Sequence, residues 1–297
     1  FAVKLVINCA TTRYKDVFVP AQTMSELSSR STVKVTDYER RARSFNPFMD
    51  SLEQYAASTI IKCYVDAKSS RTEDVCLAFV VWLVACWTRP DISFAVSELS
   101  RFVSNPGKAH MEAAKRVLRY LKKTVSLGLE FRQSGSDSRA NQLWGYVDAD
   151  WAGNTDTRRS TSGYVLMLNG CAISWKSKLQ PVVALSTAEA EFVAASSLVQ
   201  EVIFLRKLLA SLGFPQTGPT PVFEDNESCI AWSEGSVGGS ERAKHIDLRK
   251  FFVHEAVAAK HLVLRGISSK QNSADIFTKS GLSVDDFEFH RHKIFGH

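Results

Sequence analysis

Apolar and polar positions follow two different rhythms along this chain, and the change between them divides it. Residues 1 to about 72 carry scattered apolar positions and one basic cluster, Glu39-Arg40-Arg41-Ala42-Arg43, with no repeat and no clear periodicity. From Asp74 onward the pattern turns helical in three runs, "VCLAFVVWLVACW" (75–87), "DISFAVSELSRFVSN" (91–105) and "HMEAAKRVLRYLKKTV" (110–125), separated by Pro90 and by Pro106-Gly107. The third run predicts a helix with Val117, Leu118 and Leu121 turned inward and Lys115, Arg119, Lys122 and Lys123 outward, a face for solvent or for phosphates. The polar stretch "RQSGSDSRANQ" (132–142) reads as a linker.

Past that linker the period shortens to two. Strand-like "LWGYVDA", "SGYVLMLNG" and "CAISWKS" precede a long helix over 187–212; strand "PVFED", a short helix from Asn226, a helix over about 245–259, strand "LVLRGI" and a helical piece from Ser273 follow. Three consecutive strands, then helices alternating with two more, predict an α/β fold: a five-stranded mixed sheet with flanking helices, preceded by a mainly helical segment. The expected division is 1–75 unassigned, 76–131 helical, 132–142 linker, 143–280 sheet domain and 281–297 a solvated C-terminal tail.

Several acids stand where this pattern would bury them. On a helical wheel centred on Glu191, Ala195, Leu198, Val202, Leu205 and Leu209 all fall within about 40°, so Glu191 heads the apolar stripe. Glu189 falls on the polar side, with Ser196, Gln200 and Lys207. Asp148 ends one strand and Asp225 another, where either Asp225 or Asn226 is suited to capping the next helix. Asp275 opens the last helical piece, where an acid is ordinary. A buried carboxylate needs a cation or many donors. If these four converge, their repulsion calls for divalent ions, and an all-oxygen ligand set selects Mg2+ or Mn2+ over zinc.

Charge and cysteine content narrow the setting. The chain has 297 residues and a net charge of +6; residues 1–140 hold 21 Lys/Arg against 14 Asp/Glu, residues 141–297 hold 16 against 17. A basic flank beside a balanced module suits a polyanionic partner as well as an ordinary solvated surface. Six cysteines without C-x-x-C spacing argue against structural zinc and for a reducing compartment, cytoplasm or nucleus. The longest apolar run, 75–87, falls short of the roughly 20 residues a membrane helix needs. No G-x-S-x-G element supports a nucleophilic serine. Phe1 in place of Met predicts a fragment of a longer product.

In this order, "YVDADWAGNTDTRRSTSGYV", "ISWKSKLQPVVALSTAEAEF", "FEDNESCIA", "KHIDLRKFF" and "NSADIFTK" resemble the ribonuclease H domain of copia-type LTR retrotransposon polyproteins. Upstream, "WTRPDISFAVSELSRFVSNPGKAHMEAAKRVLRYLK" is similar to the thumb and connection segment that joins reverse transcriptase to that domain; together they span about 76–280. The resemblance implies a ribonuclease H fold that cleaves the RNA strand of RNA–DNA hybrids with two Mg2+ ions, within the remainder of a reverse transcriptase polyprotein, and in a virus-like particle if the element is intact.

The family's four-carboxylate site carries over onto Asp148, Glu191, Asp225 and Asp275, with Asp150 and Glu189 as reserves. By resemblance Asp148 bridges the ions, Glu191 and Asp225 hold the ion on the leaving-group side, and Asp275 holds the one that activates water. Ser186, Thr187 and Asn226 are candidate donors to phosphates; Arg158, Arg159, Lys176, Lys178, Lys244 and Arg249 are candidate hybrid contacts by charge and loop position. His245 is a candidate for product release, although a lone His before a helix is more often structural. The polymerase motif is reduced to Tyr64-Val65-Asp66-Ala67-Lys68, with Ala67 replacing the second carboxylate, so no polymerase activity is expected. The competing expectation is an inactive or domesticated remnant that binds nucleic acid without cutting it.

Overall fold

The computed structural model describes residues 81–82, 84–102, 105–131, 141–235 and 244–297, without the side chains of 244–247. The segment 1–75, its Tyr64–Lys68 motif, just over half of the 75–87 run and nearly all of the linker lie outside the described residues. The chain divides into two compact units, Phe1–Trp87 and Thr88–His297, and the architecture below belongs to the second.

That unit opens with a 3-10 turn, Pro90–Ile92, and two helices, α1 (Ser93–Ser100) and α2 (Lys108–Lys123). In α2, Val117 is buried, Leu118 and Leu121 are half-buried, and Lys115, Arg119, Lys122 and Lys123 are exposed, as the spacing predicts. Then come β1 (Trp144–Asp150), β2 (Thr161–Leu168), β3 (Cys171–Leu179), α3 (Thr187–Ser211), β4 (Thr220–Glu224), α4 (Glu227–Ser233), α5 (Lys244–Ala258), β5 (Leu262–Gly266), a 3-10 turn over Ser273–Phe277, and α6 (Val284–Phe295).

The strands form one sheet in the order β3-β2-β1-β4-β5. β1 and β2 pair antiparallel, as do β2 and β3, whereas β4 runs parallel to β1 and to β5. The β2–β3 turn passes through Asn169 (φ 51°) and Gly170 (φ 78°), the left-handed pair a two-residue hairpin of right-handed twist requires. Three antiparallel strands followed by two parallel ones reached through helices make the ribonuclease H-like mixed sheet that the resemblance implies.

Helices α3 and α5 cover one face of the sheet. On the other, Tyr146, Val165, Met167 and Trp175 pack with Ala274, Ile276 and Phe277 of the 3-10 turn and with Ile294 and Phe295 of α6. The expected solvated tail is therefore corrected. Ser283 caps α6, and Gly296 (φ 84°) ends it in the left-handed conformation that favours glycine. His290 is only 1% exposed, because Ile294 and Phe295 are apolar enough to draw this helix onto the sheet.

Candidate metal centre

Strand pairing puts Asp148 and Tyr146 on the same face of β1, so the carboxylate shares the side occupied by the 3-10 turn. Opposite Asp148 in the ladder is Gly163. A Cβ there would stand 2.6 Å from Thr278 Cγ2 and 2.8 Å from Phe277 Cβ, so the turn sits directly on this glycine. Asn272 fastens the turn from below: its Nδ2 donates to Val147 O at 2.8 Å, and its Oδ1 accepts from Ala274 N. The Thr278 hydroxyl donates to Asp148.

Glu191 reaches the same place from the first turns of α3. The apolar stripe of Ala195, Leu198, Val202, Leu205 and Leu209 is buried, and Glu191 is buried with it. Asp225 arrives from the end of β4, which is parallel to β1 and next to it. Asn226, not Asp225, caps α4 by accepting from Cys229 N at 3.0 Å, which leaves the Asp225 carboxylate free for the cluster. Ligand oxygens of Asp148, Glu191 and Asp225 lie within 4.8 Å of one another.

Asp275 belongs to the same neighbourhood through Lys279. The Lys279 ammonium is 2.8 Å from Asp275 Oδ1 and 3.7 Å from Asp148 Oδ1. Electrostatics record the crowding. Burial, and then the neighbouring Asp275 and Asp225 carboxylates, push Asp148 up to about 7 against the relief given by Lys279 and Thr278. Burial, followed by Glu224, Asp148 and Asp225, raises Glu191 well above the ordinary carboxylate range. Burial raises Asp275 as well, opposed by Lys279.

A fifth carboxylate was not anticipated from sequence. Glu224 is fully buried, its Oε1 accepts from Asp225 N (3.1 Å) and Asn226 N (3.0 Å), and burial raises its pKa well above the ordinary range. Strand alternation contained the signal, since Thr220, Val222 and Glu224 share the buried side of β4. Oε2 of both Glu191 and Glu224 is buried without a hydrogen-bond partner. Buried carboxylate oxygens lacking donors, in an all-oxygen set, are a fit for a hard divalent cation.

The reserves resolve differently. Asp150, at the end of β1, folds its carboxylate over Gly153, where a Cβ would collide with it. Glu189 is buried, a correction to the solvent-facing expectation: every residue of α3 from Ala188 to Ser196 is buried, whichever side of the helix it is on. Its Oε2 accepts from Leu185 N at 2.7 Å, so the side chain stabilises the start of the helix. Ser186 is the N-cap of α3, accepting from Glu189 N, and the adjoining Thr187 is exposed.

Among the proposed hybrid contacts, Arg158 and Arg159 lie in the loop after β1, the first exposed and the second half-buried. Lys176 and Lys178 are not on a loop but on β3, the edge strand. Burial, and then Lys178, hold the Lys176 ammonium below its ordinary range. Arg249 is half-buried on α5, and the side chains of Lys244 and His245 lie outside the described residues. Among the described residues no helix is long and apolar enough to cross a membrane.

No protein-family model matches the chain. It is 45% identical over 200 residues to the retrovirus-related Pol polyprotein from transposon TNT 1-94 of Nicotiana tabacum, covering 67% of this chain and 14% of the polyprotein. It is 37% identical over 193 residues to the retrovirus-related Pol polyprotein from transposon RE1 of Arabidopsis thaliana, 65% of this chain and 13% of that one. The chain thus spans about a seventh of the length of these polyproteins. It is also 52% identical over 118 residues to secreted RxLR effector protein 161 of Plasmopara viticola, covering 40% of this chain and 80% of that protein. Among solved structures, it is similar to RNase H1 from Halobacterium salinarum NRC-1 (13% identity, TM-score 0.34, 46% of this chain and 94% of that one). A second is LC11-RNase H1 in complex with RNA/DNA hybrid (15% identity, TM-score 0.36, 46% and 94%).

Proposed function

Since this chain belongs to the family of retrovirus-related Pol polyproteins of transposons, we propose that it is the ribonuclease H portion of such a polyprotein, of copia type. In this reading it is an endonuclease that hydrolyses the RNA strand of RNA–DNA hybrids during reverse transcription. The observation that carries the reading is the meeting of Asp148, Glu191 and Asp225 oxygens within 4.8 Å. The unpartnered buried Oε2 of Glu191 supports it.

Asp148, Glu191, Asp225 and Asp275 would hold two Mg2+ ions, with Mn2+ as a substitute. When bound, such ions supply the positive charge that activates water and stabilises the departing oxygen in an in-line phosphodiester displacement. The chain's own part is to fix the oxygens. Thr278 and Lys279 orient Asp148, Asn272 anchors the turn that carries Asp275, and α3 presents Glu191 from a rigid, enclosed stem.

Asn226 spends its carbonyl oxygen on the cap, which leaves its amide NH2 for a phosphate oxygen. Ser186, Thr187, Arg158, Arg159, Lys176, Lys178, Lys244, His245 and Arg249 are the further contacts proposed for the hybrid, read by shape and 2′-hydroxyls more than by sequence. The working context is the remainder of the reverse transcriptase polyprotein in the cytoplasm, the nucleus or a virus-like particle. The chain itself is assigned no polymerase step.

The test is cleavage of an RNA–DNA hybrid labelled on the RNA strand, with and without Mg2+. Wild type should cut only with the metal, and Asp225→Asn should lose about a hundredfold or more of the rate. Full activity in Asp225→Asn would refute the site, and tight hybrid binding without product at any metal concentration would replace the nuclease by a binding remnant.

A further inference from the structure

Asp275 is held differently from its three companions. Asp148, Glu191 and Asp225 make a compact ligand group, whereas Asp275 is joined to it through the Lys279 ammonium. Lys279 follows Asp275 by one helical turn, and its backbone N–H donates to Asp275 O at 2.9 Å, so the two side chains share one rigid turn. The ammonium contacts Asp275 at 2.8 Å and leans on Asp148 at 3.7 Å, and its side chain remains 35% exposed. A cation arriving at Asp275 meets a position already neutralised from within. One arriving at Glu191 meets an oxygen with no partner.

We propose that Lys279 is an internal counter-cation that divides the centre into two unequal positions. One, at Asp148, Glu191 and Asp225, is open to a divalent ion; the other, at Asp275, stays closed until the ammonium swings aside. This inference rests on the divalent-ion reading of the acid cluster. The partly exposed, four-carbon stem of Lys279 gives the ammonium a path to solvent without moving the backbone, and the compact point charge can leave one partner at a time. Lys279 acts here as a positioning residue, through the carboxylates it neutralises.

Calorimetric titration of the whole chain with Mn2+, without nucleic acid, tests the division. Wild type should bind one ion strongly and a second at least about tenfold more weakly, a gap in keeping with one partly screened charge contact. Lys279→Gln should tighten the weaker position about tenfold and the stronger, which meets the ammonium only through Asp148 at 3.7 Å, by a clearly smaller factor. Lys279→Arg should retain the wild-type pattern, and Asp275→Asn added to Lys279→Gln should remove the gain. Two equal positions in wild type would overturn the proposal without recourse to any variant. Lys279→Gln that keeps its circular dichroism spectrum and an unchanged weak position would overturn the role of Lys279 alone. No Mn2+ binding to wild type or Lys279→Gln would overturn the cation centre and this inference with it.

Discussion

Asp148 gives up its proton at a higher pH than most aspartates, because it is 2% exposed and faces other acids. Its pKa is raised from 3.8 to about 7, so between those values the folded chain binds a proton that the unfolded chain has released. The contribution to metal-free stability is therefore zero below about pH 4, falls as pH rises through the window and reaches its full penalty above about 7. Asp148→Asn, which cannot ionise, should be more stable than wild type by roughly 2–4 kcal/mol at pH 8 in chelator and equal to it near pH 4. Urea denaturation at the two pH values checks this, and equal stability at pH 8 would contradict it. Sequence gave access to part of this chemistry. Helical spacing alone separated Glu191 from Glu189 as the one on the core stripe, but it wrongly left Glu189 in solvent, because a wheel cannot show that neighbouring elements enclose the first turns of α3. Glu224 is hidden in the sequence by its neighbour, because two adjacent acids end β4 and either one suits the strand-end position.

At the scale of elements, the centre depends on a short turn lying flat on β2. Gly163 permits this contact, since any side chain there would push against Phe277 and Thr278. Gly163→Ala should cost about 1–3 kcal/mol by overpacking and, by lifting Thr278 and Asp275 away from Asp148, should reduce hybrid cleavage more than thermal stability accounts for. Parallel melting and cleavage measurements separate the two effects; loss of neither would show that the turn tolerates displacement. All five strands and the long helix are legible from the change of period, because each has a Gly, Pro or Asn signal at one end or both. The C-terminal helix was not. "HRHK" reads as polar, yet His290 and Arg291 are buried because Ile294 and Phe295 of the same helix anchor it, and no local pattern marks a polar residue that a sheet will cover.

Over the whole Thr88–His297 unit, the upstream helices and the sheet share one fabric. Arg89 pairs with Asp91 at 2.7 Å and donates to Thr124, Tyr120 donates to Asp91, and Arg291 of α6 donates to Tyr120. Glu130 N donates to Phe295 O nearby, and Leu129 enters the sheet's core cluster. Arg89→Ala leaves Asp91 buried without its guanidinium and should destabilise the unit by about 3–5 kcal/mol in urea; a change under 1 kcal/mol would mean the network is dispensable. The central claim, that carboxylates from β1, α3 and the end of β4 together hold a divalent cation, is tested most directly by anomalous diffraction from crystals soaked in Mn2+. A peak bound by oxygens of Asp148, Glu191 and Asp225 is the predicted result. A saturating soak that leaves these oxygens without a peak, or places manganese only elsewhere, would contradict it.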